Sequence, residues 1–346
     1  MPHKMFKVLT VILIILVVGT AAEAADPQIK QKITIVNAGD ALHYFPVYVA
    51  RGAGFFAEEG LEVDWVNVSS GTRQAASVMG GSAEMTCLAF IHVIKSHVQG
   101  ANLIAFASLF DVWSNVLVLS NEAIEKTGIT PTMSIDEKVK RLAGLQIAIT
   151  SPGSSTDAFM RSLFYARGMD PDKLVKFQPM GTGTSQLAAL EKKLTDGIVF
   201  PAPIPEIAVA KGLGKIAIDP FSGEVPELNG IPMVVMATNL ETLSKKPEVI
   251  RKSTRALTKA LIFAHKKPEE TRKMMRQYFP ELEEHIYNRV VETYSKATSK
   301  TPVVTAEQTA KQVTWMNLGS SKPISVEYGK VFAIEPARTI AADLLK

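Results

Sequence analysis

Six short segments carry the hydrogen-bond donors and ring surfaces that a bound small molecule would need. They are Gly39-Asp40-Ala41-Leu42-His43-Tyr44, Ser69-Ser70-Gly71-Thr72, Leu88-Ala89-Phe90, Ser151-Pro152-Gly153-Ser154-Ser155-Thr156, Gly181-Thr182-Gly183-Thr184 and Pro201-Ala202-Pro203. Three of the six are rich in Gly, Ser and Thr directly before a helical pattern. Such a segment offers unpaired backbone N–H groups and hydroxyls at the positive end of a helix dipole, which favours an anion. The same residues serve elsewhere as ordinary N-caps, so it is their convergence on one edge of the fold that raises the binding reading. Arg73, in a first helical turn, has the forked guanidinium that pairs with a carboxylate or sulfonate. Asp40 and His43 suit an amine or hydroxyl. Tyr44, Phe90 and Trp113 could pack on an apolar part of a ligand, although core packing is the usual role of such rings. The candidate contacts are therefore Asp40, His43, Tyr44, Gly71, Thr72, Arg73, Phe90, Trp113, Ser154, Ser155, Thr156, Thr182, Thr184 and Pro201.

Other chemistries lack their residues. There is no GxxxxGK[ST] phosphate loop and no G-x-S-x-G nucleophile elbow, and Gly181-Thr182-Gly183 lacks the third glycine of a dinucleotide fingerprint. His92 and His97 are five positions apart, on different faces of a helix, with no Cys or carboxylate at ligand spacing. No cofactor or metal is implied, and the pattern points to binding rather than catalysis.

The elements that must position these loops alternate between strand-like and helix-like patterns, the mark of an α/β sheet covered by helices. Lys32 to Asn37, Leu61 to Val68, Glu84 to Leu88 and Asn102 to Ser108 read as strands, with a helix over Thr72 to Gly80. The middle of the chain repeats the plan in register. Gly71-Thr72-Arg73-Gln74 is echoed by Gly183-Thr184-Ser185-Gln186, and an acidic residue follows each glycine by thirteen positions, Glu84 and Asp196. Ala50-Arg51-Gly52 is matched by Ala166-Arg167-Gly168. Two echoes in the same order indicate duplicated α/β lobes. After that the alternation stops: Pro247 to Lys266, Pro268 to Phe279, Leu282 to Lys296, Ala306 to Leu318 and Pro336 to Leu345 all read as helices. A block without strands must pack on sheets already built, and the economical topology returns it to the first lobe. The crossing segments, near Trp113 to Ser120 and Ile231 to Thr238, would form a two-stranded hinge. In open α/β sheets a ligand sits beyond the carboxyl ends of the strands, where the six loops fall.

At the amino end, Lys4 and Lys7 precede the apolar run Val8 to Val18 and the small-x-small site Ala22-Glu23-Ala24, which together read as a cleavable signal peptide. The expected organisation is a signal peptide over 1–24, a first lobe over 25–112, a second lobe with the crossing segments over 113–238, and a helical return to the first lobe over 239–346. Losing two lysines and one glutamate with the leader takes the formal net charge from +4 to +3. That balance lacks the basic clusters nucleic-acid binding requires. The single cysteine, Cys87, allows no internal disulfide.

Tyr44-Phe45-Pro46-Val47-Tyr48-Val49-Ala50, then Gly54-Phe55-Phe56 and Glu58-Glu59-Gly60-Leu61-Glu62-Val63, resemble the opening of the ABC-transporter substrate-binding proteins for sulfonates, taurine, nitrate and thiamine-pyrimidine precursors. Ser70-Gly71, Ser151-Pro152-Gly153-Ser154-Ser155, Gly168-Met169-Asp170-Pro171, Ile207-Ala208 and Lys211-Gly212 extend the likeness over Lys32 to Pro220. The resemblance implies a periplasmic-binding-protein type II fold, with two α/β lobes joined by a two-stranded hinge. It further implies a periplasmic monomer that holds a small solute in its cleft and meets an ABC permease in the inner membrane. A small organic anion, sulfonate or carboxylate, is the expected solute. A thiamine-precursor-like pyrimidine, presentation of the ligand to a membrane sensor, and a pyrimidine-synthesising enzyme on the same fold are the alternatives.

Overall fold

The computed structural model describes residues 30–39 and 41–345, so the signal-peptide segment and Asp40 lie outside the described residues. The strands are β1 (Gln31–Asn37), β2 (Leu61–Asn67), β3 (Met85–Ala89), β4 (Leu103–Phe110), β5 (Val116–Ser120), β6 (Gln146–Ile149), β7 (Lys176–Pro179), β8 (Gly197–Phe200), β9 (Gly214–Ile218) and β10 (Val234–Asn239). The helices that bear on the argument are α1 (Phe45–Gly52), α2 (Gly71–Met79), α3 (Phe90–Val98), α4 (Ser155–Tyr165), α5 (Gly183–Glu191), α6 (Ile204–Ala210), α7 (Pro247–Lys266), α8 (Pro268–Met275), α9 (Glu284–Ala297), α10 (Ala306–Met316) and α11 (Ile334–Leu344).

The strands form two five-stranded sheets of the same plan, β2-β1-β3-β10-β4 and β7-β6-β8-β5-β9. Within each, the first three strands are parallel and the fourth is antiparallel to its neighbours. The antiparallel strand is the one the chain forms directly after crossing from the other lobe. Residues 111–115 lead out of the first sheet into β5, and residues 219–233 lead back into β10. The strands that follow the crossings, β5 and β10, fall in the segments read from the sequence, but they do not pair with each other. Each is built into a different sheet, and both are buried along their whole length.

The register echo has a physical cause. The Glu84 carboxylate accepts the Thr34 N–H of β1 at 2.8 Å, and the Asp196 carboxylate accepts the Gln146 N–H of β6 at 2.7 Å. Gln74 and Gln186, both inaccessible to solvent, tie α2 and α5 to the strand thirteen residues on. The Gln74 amide donates to the Cys87 carbonyl, and Gln186 Oε1 accepts from the Val199 N–H. Gly71 and Gly183 allow the close approach this needs. A Cβ on Gly71 would stand 2.5 Å from His92 Nε2, and one on Gly183 2.6 Å from Ile204 Cγ1.

The carboxyl-terminal helices form where the prolines and periodicity place them, and α7 packs on α1, on α11 and on β4 of the first lobe. Their segment also shields β4, which is the edge of its sheet and yet fully buried. The Ala105 carbonyl accepts from the Ala333 N–H, the Pro302 carbonyl accepts from the Ser108 N–H, and the Leu109 carbonyl accepts from the Ser299 N–H. These bonds occupy edge groups that would otherwise be open to a foreign strand. Among the described residues no helix is long and apolar enough to cross a membrane.

Candidate functional site

Parallel strands of one sheet end together, so the loops that follow them meet in one place. Here both sheets direct those ends at a single cavity. It is lined by Ala38 after β1, Ser69 and Ser70 after β2, Ala89 at the end of β3, Thr150 after β6, and Phe200 and Pro201 at the end of β8. His43, Tyr44, Gly71, Gln74, His92, Asn115, Ser155, Thr156 and Met233 complete the wall. The enclosed volume is about 30 Å³, room for one or two waters. A larger groove of about 610 Å³ runs between α7, α8 and α9, but no strand end reaches it.

The cavity is small because the lobes touch across it. The Leu42 N–H of the first lobe donates to the Ala202 carbonyl of the second at 2.9 Å. The Ala202 N–H in turn donates to the Tyr294 hydroxyl of α9 at 2.9 Å, and Lys95 Nζ of α3 donates to the Gly153 carbonyl at 2.8 Å.

Helices α2, α3 and α4 all begin at this cavity, with Gly71, Ala89 and Ser155 at or beside their first residues. First-turn N–H groups have no acceptor within their own helix and carry the positive end of its dipole. Among the described residues no Asp, Glu, Lys or Arg lines the cavity. Its two histidines are uncharged at neutral pH, because burial brings His43 and His92 down to about 3. Burial also holds the Tyr44 hydroxyl protonated. That hydroxyl accepts from the Ala38 N–H and donates to Gln74 Oε1. Among the described residues the resulting surface is neutral in formal charge and positive in dipole.

Of the residues singled out from sequence, the cavity gathers His43, Tyr44, Gly71, Ser155, Thr156 and Pro201. Thr72 and Arg73 share the first turn of α2 with Gly71 but are exposed outside the cavity wall, because each step along a helix turns the side chain by about 100°. Phe90 is inaccessible and packs in an apolar cluster with Val36, Leu103 and Phe332. Trp113 lies between Trp315 and Phe159, with ring centroids at 4.6 Å and 6.5 Å, as part of the core. Ser154 is the buried N-cap of α4, its Oγ accepting the Asp157 N–H, and Thr182 caps α5 through the Ser185 N–H. Thr182 and Thr184 bond to each other outside the cavity. Asp40 is outside the described residues.

Sequence reasoning missed Asn115, His92, Gln74, Thr150 and Met233. Of these Gln74 alone had a signal, its place in the repeated Gly-Thr-x-Gln. No group of three or more His, Cys, Asp or Glu that could hold a metal occurs among the described residues.

The profile of the NMT1-like family matches residues 30–278. The chain belongs to the NMT1-like family. No curated protein matches it. In fold it is similar to a protein of known structure from Bordetella bronchiseptica RB50, with a TM-score of 0.80 and 21% identity over 92% of this chain and 99% of that one. It is also similar to the ligand-binding component of an ABC-type import system from Staphylococcus aureus, solved with zinc bound, with a TM-score of 0.69 and 14% identity over 89% and 98%. The periplasmic nitrate-binding protein NrtA from Synechocystis PCC 6803 gives 0.68 and 14% over 91% and 89%. These members of the same architecture have the mixed α/β, two-sheet fold of the periplasmic binding proteins, which this chain shares.

Proposed function

We propose that this NMT1-like chain is an exported solute-binding protein that closes its two lobes on a small organic anion and delivers it to an ABC-type import permease in the inner membrane. The observation that carries the reading is the convergence of three helix amino termini, from both lobes, on one cavity without a charged side chain among the described residues. Such a site stabilises negative charge through oriented N–H dipoles. A carboxylate or sulfonate supplies that charge on a compact group. The lobes part to admit it by rotations in residues 111–115 and 219–233, and the contacts through Ala202 and Gly153 re-form when it is bound.

The reading assigns Gly71, Ser155 and Thr156 to the anion and His43, Tyr44 and Pro201 to the rest of the solute. It places the mature protein in the periplasm as a monomer starting near Ala25, with lobes at 25–112 with 239–346 and at 113–238. The Staphylococcus aureus protein, the ligand-binding component of an ABC-type import system on the same fold, is in keeping with it. Thermal-shift screening of alkanesulfonates, aliphatic and aromatic carboxylates and nitrate is the test. A solute at 100 times its Kd adds about 2.7 kcal/mol to stability. If neutral or cationic compounds alone raise the melting temperature, the anion assignment is wrong.

A further inference from the structure

The polar groups of the cavity wall divide into those already satisfied and those that are not. Tyr44 OH, the Gln74 amide and Thr156 Oγ1 have protein partners: Thr156 Oγ1 accepts from the Thr150 N–H at 2.9 Å, and Gln74 Nε2 donates to Thr86 Oγ1 at 3.1 Å. Among the wall's side-chain atoms that are fully shielded from solvent, those of two residues are left without a partner. His43 Nδ1 is buried without a partner, and so are both ends of the Asn115 amide, Oδ1 and Nδ2, on a residue only 1% exposed. Asn115 ends the first crossing between lobes, directly before β5, where a polar residue has no part in sheet packing.

An amide is a fixed pair of opposites. Whichever way the Asn115 side chain is turned, one end accepts a hydrogen bond and the other donates. A solute composed only of acceptors, such as nitrate or a simple alkanesulfonate, engages the first-turn N–H groups and Nδ2 but leaves Oδ1 unmet in a buried wall. Desolvating a polar group without a partner is costly, so a site that keeps such an amide discriminates against solutes that cannot pair with it.

We infer that the solute is a small anion that also carries an O–H or N–H donor, and that Asn115 reads this donor through Oδ1. The inference rests on the cleft reading above and adds a chemical requirement to it. His43, held neutral by burial, supplies one further donor or acceptor at Nδ1 for the same polar substituent.

The test uses matched pairs on the full mature chain, measured by calorimetric titration: glycolate against acetate, lactate against propionate, 3-hydroxybutyrate against butyrate, and isethionate against ethanesulfonate. The expected result is at least one pair in which the hydroxylated member binds tenfold or more tightly than its twin. In Asn115→Leu, close in size and free of the unpaired amide, the ratio within that pair should fall to about one, while the melting temperature is unchanged or raised. Twins that bind equally to the wild-type chain overturn the inference and leave the anion site standing. A preference that survives Asn115→Leu overturns the role of Asn115. If no member of any pair binds, the cleft reading and the inference fall together.

Discussion

Gln74 spends its whole side chain inside the protein. Its Nε2 donates to the Thr86 hydroxyl and to the carbonyls of Val36 and Cys87, and its Oε1 accepts from Tyr44. Gln186, its counterpart in the second lobe, has only the Val199 N–H, and its Nε2 is without a partner. Replacing a buried group that satisfies several others strands them, at about 1–3 kcal/mol for each group left bare. Gln74→Leu should therefore cost roughly 2–4 kcal/mol in urea unfolding, and Gln186→Leu distinctly less. Equal losses would show that the extra partners of Gln74 contribute nothing. The repeat that contains both residues was legible in the sequence because a duplicated unit leaves a duplicated register. What the register could not say was that its glutamine, though part of the cavity wall, is held by protein partners, and that Thr72 and Arg73 turn away from the cavity. The direction of a side chain in the first turn of a helix depends on where that helix starts to within one residue. Asn115 gave no sign at all, since a single asparagine before a strand looks like any other, and only the unpaired amide in the folded wall marks it.

Among the elements, α9 joins the two lobes. The carboxyl-terminal helices were legible from proline placement and periodicity, with α7 at Pro247–Lys266 matching its expected bounds. Their docking on the first lobe was argued from the lack of strands to pair. The reach of α9 to the opposite lobe was not legible, because it rests on the Tyr294 hydroxyl and on a seam with α6 that no periodicity announces. Tyr294 OH accepts the Ala202 N–H and lies 3.5 Å from the Ser114 carbonyl, in a ring cluster with Phe110 and Phe221. Tyr294→Phe keeps the rings and removes the acceptor, so the closed arrangement loses one cross-lobe bond worth about 1 kcal/mol. Solute release followed by stopped-flow fluorescence should quicken about fivefold, a ratio corresponding to that energy, with little change in the association rate. An unchanged release rate would mean that the bond does not hold the lobes together.

For the whole molecule, the pH behaviour separates into two windows with different causes. In the cavity, burial holds His43 and His92 near 3, so neither changes charge between pH 5 and 8. Affinity for a solute of fixed charge such as isethionate should be flat over that range. A rise on acidification centred near 6 would show that a histidine titrates in contact with the solute. Outside the cavity, Glu206 faces Arg289, Asp219 and the Tyr294 hydroxyl at the seam between α6 and α9, and burial raises its carboxyl from 4.5 to about 7. Its unfolded form loses the proton near 4.5 while the folded form retains it, so this group's contribution is fully present below 4.5 and is lost as pH rises through 7. The loss is at most about 3 kcal/mol. Relative to wild type, Glu206→Gln should gain stability from pH 5 to about 7 and level off by pH 8 in denaturant midpoints. A constant difference would place the carboxyl at its ordinary value. The strand that each sheet takes from beyond a crossing also sets an order of assembly. Every strand of the second sheet lies between Val116 and Ile218, whereas the first sheet waits for β10 at Val234–Asn239 and for the segment that shields β4, as far as Ala333. For a chain that emerges amino end first, the lobe begun first is the last to be finished. Until then its β3 and β4 stand apart with a strand's width between them, and that gap is where a stalled or truncated chain would be open to another polypeptide.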